Sequence, residues 1–449
     1  MSTVLKAPVL NVDELLDKQK IGRFNLFLLL CMFIVMLLDG YDIMAVGFIA
    51  PHLVDAWHIP PSDLGPIFSS SLFGILCGSL IFGYIGDRIG RKGALILSCI
   101  AFGALTLLAG TSTNVTEMVI FRFLGGMGIG GVMPNSIALT SEYAPKKYRA
   151  TAVIIMFCGN TFGSSLPILV SMMLVPTHGW QAIMWVGGIL PLLIAAFFMA
   201  ALPESIRFLA LDPKHRERAI ITLRRLLPDV SVDDDAVLHT EVMASTQKGS
   251  RKDRFRKLFE GRLAKVTPLI WIVFIANLGT FYFVNSWVPT LAVQAGIAKQ
   301  TAVMGLTMFQ IGGTLASFAI ARPTDRYGMK LLVWISVLAI PVVALTGYVV
   351  QASDPVYLAG MFIIGVVLLG LQCGLNGMSG ILFPTEVRAN GIGSCFGIGR
   401  CGAAVGPLIG GALIANHVSA PTIFQMLSSL TIIGTIACFF LSRQPIENT

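Results

Sequence analysis

The chain has 449 residues, 55% of them hydrophobic and 12% charged, with a mean hydropathy of +0.78 and a formal net charge of +8. Soluble globular chains carry about 25% charged residues, so the composition excludes a disordered chain and an ordinary soluble enzyme. A membrane-spanning helix uses about 20 apolar residues, and twelve of them leave room here for short loops, two tails and one longer connection.

Residues 1–23 are a polar lead, with Asp13, Glu14 and Asp17 set against Lys18, Lys20 and Arg23. The first apolar run is too long for a cleavable signal and contains Asp39 and Asp42, so it is expected to stay as the first helix. Spans are predicted at 24–50, 63–86, 93–111, 115–140, 151–175, 180–202, 266–291, 300–321, 331–350, 355–381, 389–413 and 420–442. Of the 32 Lys and Arg residues, only Lys299 lies in a loop on one side, Arg122 and Arg400 lie inside spans, and the other 29 fall in the termini and alternate loops. Basic residues favour cytoplasmic loops, which places both termini and the middle connection in the cytoplasm. The positive balance therefore reads as topology, and no nucleic-acid partner is expected.

Between spans 6 and 7, residues 203–265 hold 14 basic and 10 acidic residues. They include Asp233, Asp234 and Asp235 and the cluster Arg251, Lys252, Arg254, Arg256 and Lys257. Such runs are solvated faces or contacts with anionic headgroups. This linker separates a six-helix half at 24–202 from another at 266–442, with a tail at 443–449.

The two halves repeat. The loop after span 2 reads G-D-R-I-G-R-K-G (86–93) and the loop after span 8 reads T-D-R-Y-G-M-K (324–330), with Asp87 and Asp325 238 residues apart. After spans 4 and 10 stand P-K-K-Y-R-A (145–150) and P-T-E-V-R-A (384–389), with Arg149 and Arg388 239 apart. Two independent loop pairs share almost one offset at the same ordinal positions. The expected fold is an all-α membrane protein with twelve transmembrane helices in two pseudo-symmetric halves, and such parallel repeats place a substrate site between them near the midplane.

These residues resemble the major facilitator superfamily. G-D-R-I-G-R-K-G is similar to its signature loop after span 2, R-F-L-G-G-M-G-I-G-G (122–131) to its span 4 signature and L-P-E-S-I-R-F-L (202–209) to its motif at the end of span 6. D-G-Y-D (39–42) resembles the span 1 signature of the aromatic acid:proton symporters, as do N-S-W-V-P-T (285–290) and G-I-G-R-C-G (397–402) their counterparts in spans 7 and 11. The resemblance implies a multi-pass transporter of the bacterial inner membrane that works as a monomer.

Four charged residues lie deep in spans: Asp39, Asp42, Arg122 and Arg400. A charge at the bilayer centre costs about 2.5–3.5 kcal/mol on insertion scales, so these must be paired or face a water-filled cavity; a purely structural salt bridge is the plain alternative. Asp39 and Asp42, spaced i, i+3, share a helix face, and two close carboxylates favour retention of one proton. Arg122 stays charged and can hold or release a neighbouring carboxylate. Arg400, halfway along span 11, is the first candidate to grip a substrate carboxylate bidentately, with Arg122 the second. Phe281, Tyr282 and Trp287 offer flat walls for an aromatic ring, and Asn285 a partner for a ring hydroxyl; packing or an interface belt is the bland account of the same aromatics.

At the span ends, Asp87, Arg88 and Arg91, with Glu142 and Arg149, suit a latch whose ion pairs hold one conformation and break in the other. Asp325, Arg326 and Arg388 are the equivalents in the second half. A topogenic role satisfies the basic members equally well. The eight cysteines show no C-x-x-C pair, the six histidines are scattered, and no HExxH, Walker or G-x-S-x-G pattern occurs. No cofactor, metal site or enzymatic activity is expected. The reading is a proton-coupled importer of aromatic carboxylates, benzoate or hydroxybenzoate in type, working by alternating access in a lipid bilayer. An importer of another organic anion such as an aliphatic acid, or a proton-driven exporter, would use the same residues.

Overall fold

The structure, a computed structural model, describes residues 9–11, 16–17, 21–211, 215–226, 237–239, 256–384 and 387–444. Asp233, Asp234, Asp235, Arg251, Lys252 and Arg254 lie outside them. Twelve helices among the described residues are long and apolar enough to cross a membrane. In lipid each backbone polar group must be satisfied inside its own segment, which leaves helix as the answer for isolated apolar runs. Spans 1 to 6 are Arg23–Trp57, Pro61–Ile89, Arg91–Ala109, Val115–Tyr143, Thr151–Met173 and Gln181–Ala201. Spans 7 to 12 are Leu263–Gln294, Lys299–Ile320, Met329–Val349, Asp354–Ser379, Asn390–Ala415 and Ala420–Ser442.

Three local departures from the sequence expectation have physical causes. Span 1 runs past residue 50 to Trp57: it accommodates Pro51 and ends where His58 turns left-handed (φ 52°) ahead of Pro60 and Pro61. Asp55 thereby becomes a helical residue. Span 5 is broken into Arg149–Ser164 and Leu166–Met173, where Pro167 supplies no N–H to continue the ladder. The chain is also not wholly α: Val9–Asn11 pairs in parallel with Val237–His239, joining the leading tail to the linker.

The same partners recur in both halves. Span 1 packs on 5, 2 on 4 and 3 on 6; likewise 7 packs on 11, 8 on 10 and 9 on 12. Spans 2 and 4 approach so closely that a Cβ at Gly74 would overlap the Phe123 carbonyl, and one at Gly126 the Ser71 carbonyl. Small residues let transmembrane backbones touch in this way.

The apolar packing differs between the two ends of the molecule. Toward the end holding Asp55 and Lys299 (the opposite face), one continuous core joins both halves, with Phe48, Leu53 and Phe68 packed among Trp287, Leu291 and Phe424. Toward the end holding the linker and the conserved-offset loops (the basic face), each half has its own core. One is built around Leu28, Tyr143 and Phe198 and the other around Phe274, Leu375 and Phe383. Among the described residues the hydrogen bonds and ion pairs that cross between halves are Lys299–Asp55, Gln310 Nε2 to Met44 Sδ at 3.1 Å and Arg400 Nη2 to Met133 Sδ at 3.1 Å. None lies closer to the basic face than Arg400. The halves are closed together at the opposite face and separate at the basic face.

Candidate functional site

Span 1 carries both interior carboxylates, and they have different partners. Arg122 Nη1 on span 4 donates to Asp42 Oδ1 at 2.7 Å, with the two side chains 4% and 2% exposed. This ion pair lies wholly within the first half. Asp42 Oδ2 and Arg122 Nε make no hydrogen bond among the described residues, so the pair is single and not a bidentate fork. Removing one member of such a buried pair costs about 3–5 kcal/mol, because the other charge is left without a partner.

Asp39 is held from a neighbouring helix instead. Asn160 Nδ2 on span 5 donates to Asp39 Oδ2 at 2.8 Å. Asp39 also lies within electrostatic reach of Arg400, across the boundary between the halves, without forming an ion-pair contact. The same apolar cluster holds Leu38, Ala403 and Ala404, the neighbours of these two charges, with Leu278 and Tyr282 packed against it. Tyr282 is half-buried and feels both Arg400 and Asp39.

Arg400 is itself only partly buried, and the one hydrogen bond it makes among the described residues is to the Met133 thioether. A thioether is a weak acceptor. The two interior arginines are therefore unequal. Arg122 is already neutralised by Asp42; Arg400 has no carboxylate within 4 Å among the described residues and stands where the halves meet.

The aromatic candidates divide in the same way. The Phe281 ring lies edge-on to Tyr282 at 4.9 Å and against Phe309 at 5.6 Å, next to the charged group. Asn285 and Trp287 sit further toward the opposite face, in the layer where the halves are closed. Trp287 is fully buried, its indole N–H donates to Pro407 O at 3.0 Å and its ring meets Phe68 at 5.1 Å. The Asn285 backbone faces Gly47 of span 1. Among the described residues neither makes a hydrogen bond to Asp39 or Arg400. Both hold the two halves together.

At the basic face the loop after span 2 is tied into its own half. Asp87 and Arg91 form an ion pair at 2.6 Å, and Arg91 Nη1 donates to Asn135 Oδ1 at 3.3 Å. Asn135, fully buried, anchors that contact by donating to Gly131 O at 2.8 Å. Glu204, at the end of span 6, accepts from the Lys92 and Ser205 backbone N–H groups at 3.0 and 2.8 Å. Ser205 bonds Glu142, and Tyr143 donates to the Glu204 carbonyl at 2.6 Å. Arg88 lies over the Tyr84 ring at 4.7 Å, and Arg149 pairs with Asp17 at 3.6 Å. In the second half Arg326 lies over Tyr327 at 5.4 Å; the side chains of Asp325 and Arg388 lie outside the described residues.

Sequence reasoning did not single out Asn160, Asn135, Glu204 or Ser205. Glu204 and Ser205 stand in the quoted motif at the end of span 6, and Asn160 and Asn135 are lone amides in apolar runs, which is the signal that could have found them. Among the described residues no three His, Cys, Asp or Glu side chains come together to hold a metal.

The family model of the Major Facilitator Superfamily matches residues 32–399 and 270–449. The 4-hydroxybenzoate transporter of Acinetobacter baylyi is 35% identical over 438 residues, covering 96% of this chain and 94% of its own. The benzoate transport protein of the same organism is 31% identical, covering 96% and 93%. Among solved structures, the inward open conformation of the xylose transporter of Escherichia coli matches with a TM-score of 0.71 at 18% identity, covering 94% of this chain and 97% of that one. That likeness speaks for the fold. The family-model match and the 31–35% identity to the two Acinetobacter proteins over 96% of the chain make it a transporter of the major facilitator superfamily, on the branch that holds the aromatic acid transporters.

Proposed function

We propose that the protein imports a small aromatic carboxylate together with protons by alternating access, as a monomer in the bacterial inner membrane with both termini in the cytoplasm. With the basic face cytoplasmic, the conformation described here is open inward. The observation that carries the reading is the state of Arg400: an interior guanidinium without a carboxylate contact, at the seam between the halves, in the field of Asp39.

Arg400 then serves two anions in turn. In the empty inward-open state the Asp39 carboxylate sits in its field, steadied by Asn160. A proton on Asp39 removes that negative charge and frees the guanidinium for the substrate carboxylate, which it grips with parallel N–H donors. Loss of the substrate to the cytoplasm restores the field, and Asp39 gives up its proton on the same side. Each ligand favours the other, as linkage requires. Asp42, held by Arg122, keeps span 1 in register and takes no proton in this scheme. Phe281 and Tyr282 wall the ring, and the Tyr282 hydroxyl, between the two charges, donates to the bound carboxylate.

The relatives named for 4-hydroxybenzoate and benzoate supply the substrate class. Purified protein in proteoliposomes, given labelled 4-hydroxybenzoate or benzoate, should take it up faster with an inward proton gradient and drive it above equilibrium. Uptake indifferent to the gradient, or equal uptake of short aliphatic acids, would contradict the proposal.

A further inference from the structure

A groove lies outside the central seam. The basic-face ends of spans 1, 4 and 5 enclose a groove of about 150 Å³, floored by buried Leu28, Tyr143 and Pro145 and edged by exposed Leu26, Tyr148 and Ile155. Its lining is almost wholly apolar. The one amide there, Asn25, is engaged, donating to the Tyr143 carbonyl at 2.8 Å. The floor thus offers methylene packing and nothing that would orient a carboxylate.

Among the described residues, the charges beside the groove stand at its basic-face end. Arg23 and Lys147 are exposed and have no carboxylate within 4 Å among the described residues, and Lys147 rests over the Tyr148 ring at 5.4 Å. Arg149, one residue on, has Asp17 at 3.6 Å as its ion-pair partner among the described residues. Beyond the lining, Leu30, Ile154 and Phe162 on the same spans 1 and 5 are exposed, an apolar surface that hydrocarbon must cover. A ligand that fits is anionic at one end and aliphatic along the other, entering from the bilayer.

We propose that this groove holds an acyl chain of an anionic phospholipid from the leaflet at the basic face, with its phosphate at Arg23, Lys147 and Arg149. The site is independent of the transport reading. Lys and Arg near an anionic headgroup contribute about fivefold each in affinity, while the chain supplies contact area common to all lipids.

Native mass spectrometry of the full-length protein, released from detergent with phosphatidylglycerol or phosphatidylcholine of identical chains, tests it. The wild type should retain phosphatidylglycerol at least about fivefold better. Arg23→Gln/Lys147→Gln should cut that preference severalfold, to what Arg149 supplies, and Ala152→Phe, which fills the groove, should lose the retained lipid. Melting in detergent checks the fold, and Thr151→Trp on the exposed rim replaces Ala152→Phe if that variant does not fold. Equal retention of the two lipids by the wild type would overturn the proposal, as would wild-type retention in both variants. Displacement of the lipid by glycerol phosphate alone would assign the cations to a soluble phosphate and overturn it too.

Discussion

The two halves share one packing scheme and divide the chemistry unequally. The first six spans hold three of the four interior charges and the bonded loop network around Asp87, Arg91 and Glu204. The last six hold one interior cation, Arg400, and a neutral amide row in which Asn277 donates to Gln372 and Gln372 to Asn376, each at 2.8 Å. The repeat offset maps Arg122 onto Met361 and Arg400 onto Thr161, so neither arginine has a basic counterpart. A duplicated scaffold needs matching helix contacts to keep its shape, but its binding chemistry is needed only once. The first half pairs Asp42 with Arg122 internally; the second lends its charge across the seam toward Asp39.

Breaking the first half's carboxylates should have the largest effect. Asp39→Asn should abolish proton-driven accumulation, because an amide cannot titrate, while exchange of substrate across the membrane persists. Asp42→Asn should cost the protein about 3–5 kcal/mol by leaving Arg122 buried alone, seen as a lower melting temperature and poor yield. Asp42→Asn/Arg122→Met should recover most of that stability. If Asp39→Asn still concentrates substrate against its gradient, or if it melts as early as Asp42→Asn, the division of labour on span 1 fails.

The second half's cation comes next. Arg400→Lys keeps the charge and loses the planar fork, so binding of every aromatic acid should weaken by about 1.5–3 kcal/mol, roughly tenfold or more. Calorimetric titration at fixed pH measures this. A near-normal affinity in Arg400→Lys, beside a large loss in a folded Arg122→Lys, would move the clamp to the first half. Tyr282→Phe sharpens the same comparison more gently. Loss of one hydroxyl donor should weaken binding by about 0.5–1.5 kcal/mol, and an unchanged Kd would leave Tyr282 as a ring wall only.

The loop network should matter least for binding. We propose that this loop biases conformations; Asp87→Asn, which breaks its contact with Arg91, should then slow transport severalfold while Kd changes little. Normal turnover with weakened binding would place Asp87 in the site instead.

The interior charges are legible in the sequence because a charge in an apolar run demands a partner or water. Which partner each has is not. The i, i+3 spacing puts Asp39 and Asp42 on one face, yet one turn of helix decides that Asp42 meets Arg122 and Asp39 meets Asn160. Trp287 shows the same limit from the other side. Its place in span 7 is readable, but whether an aromatic lines a site or seals two halves depends on what packs opposite, here Phe68 and Pro407. The loop offsets reveal the repeat; the network through Asn135 and Glu204 joins residues 44 and 112 positions apart, as Arg91 and Asn135 or Lys92 and Glu204 are.

The central claim is that Asp39 and the substrate share Arg400, and the pH dependence of binding tests it most directly. An aromatic acid with an ordinary carboxyl near pKa of about 4 is ionised throughout the range from about pH 5.5 to about pH 8.5. Calorimetric Kd values across that range should rise with pH in the wild type, since deprotonated Asp39 competes for the guanidinium, by up to about tenfold per pH unit where one proton is linked. In Asp39→Asn they should be flat and tight at every pH. A wild-type Kd that does not change with pH, or the same slope in Asp39→Asn, would contradict the account.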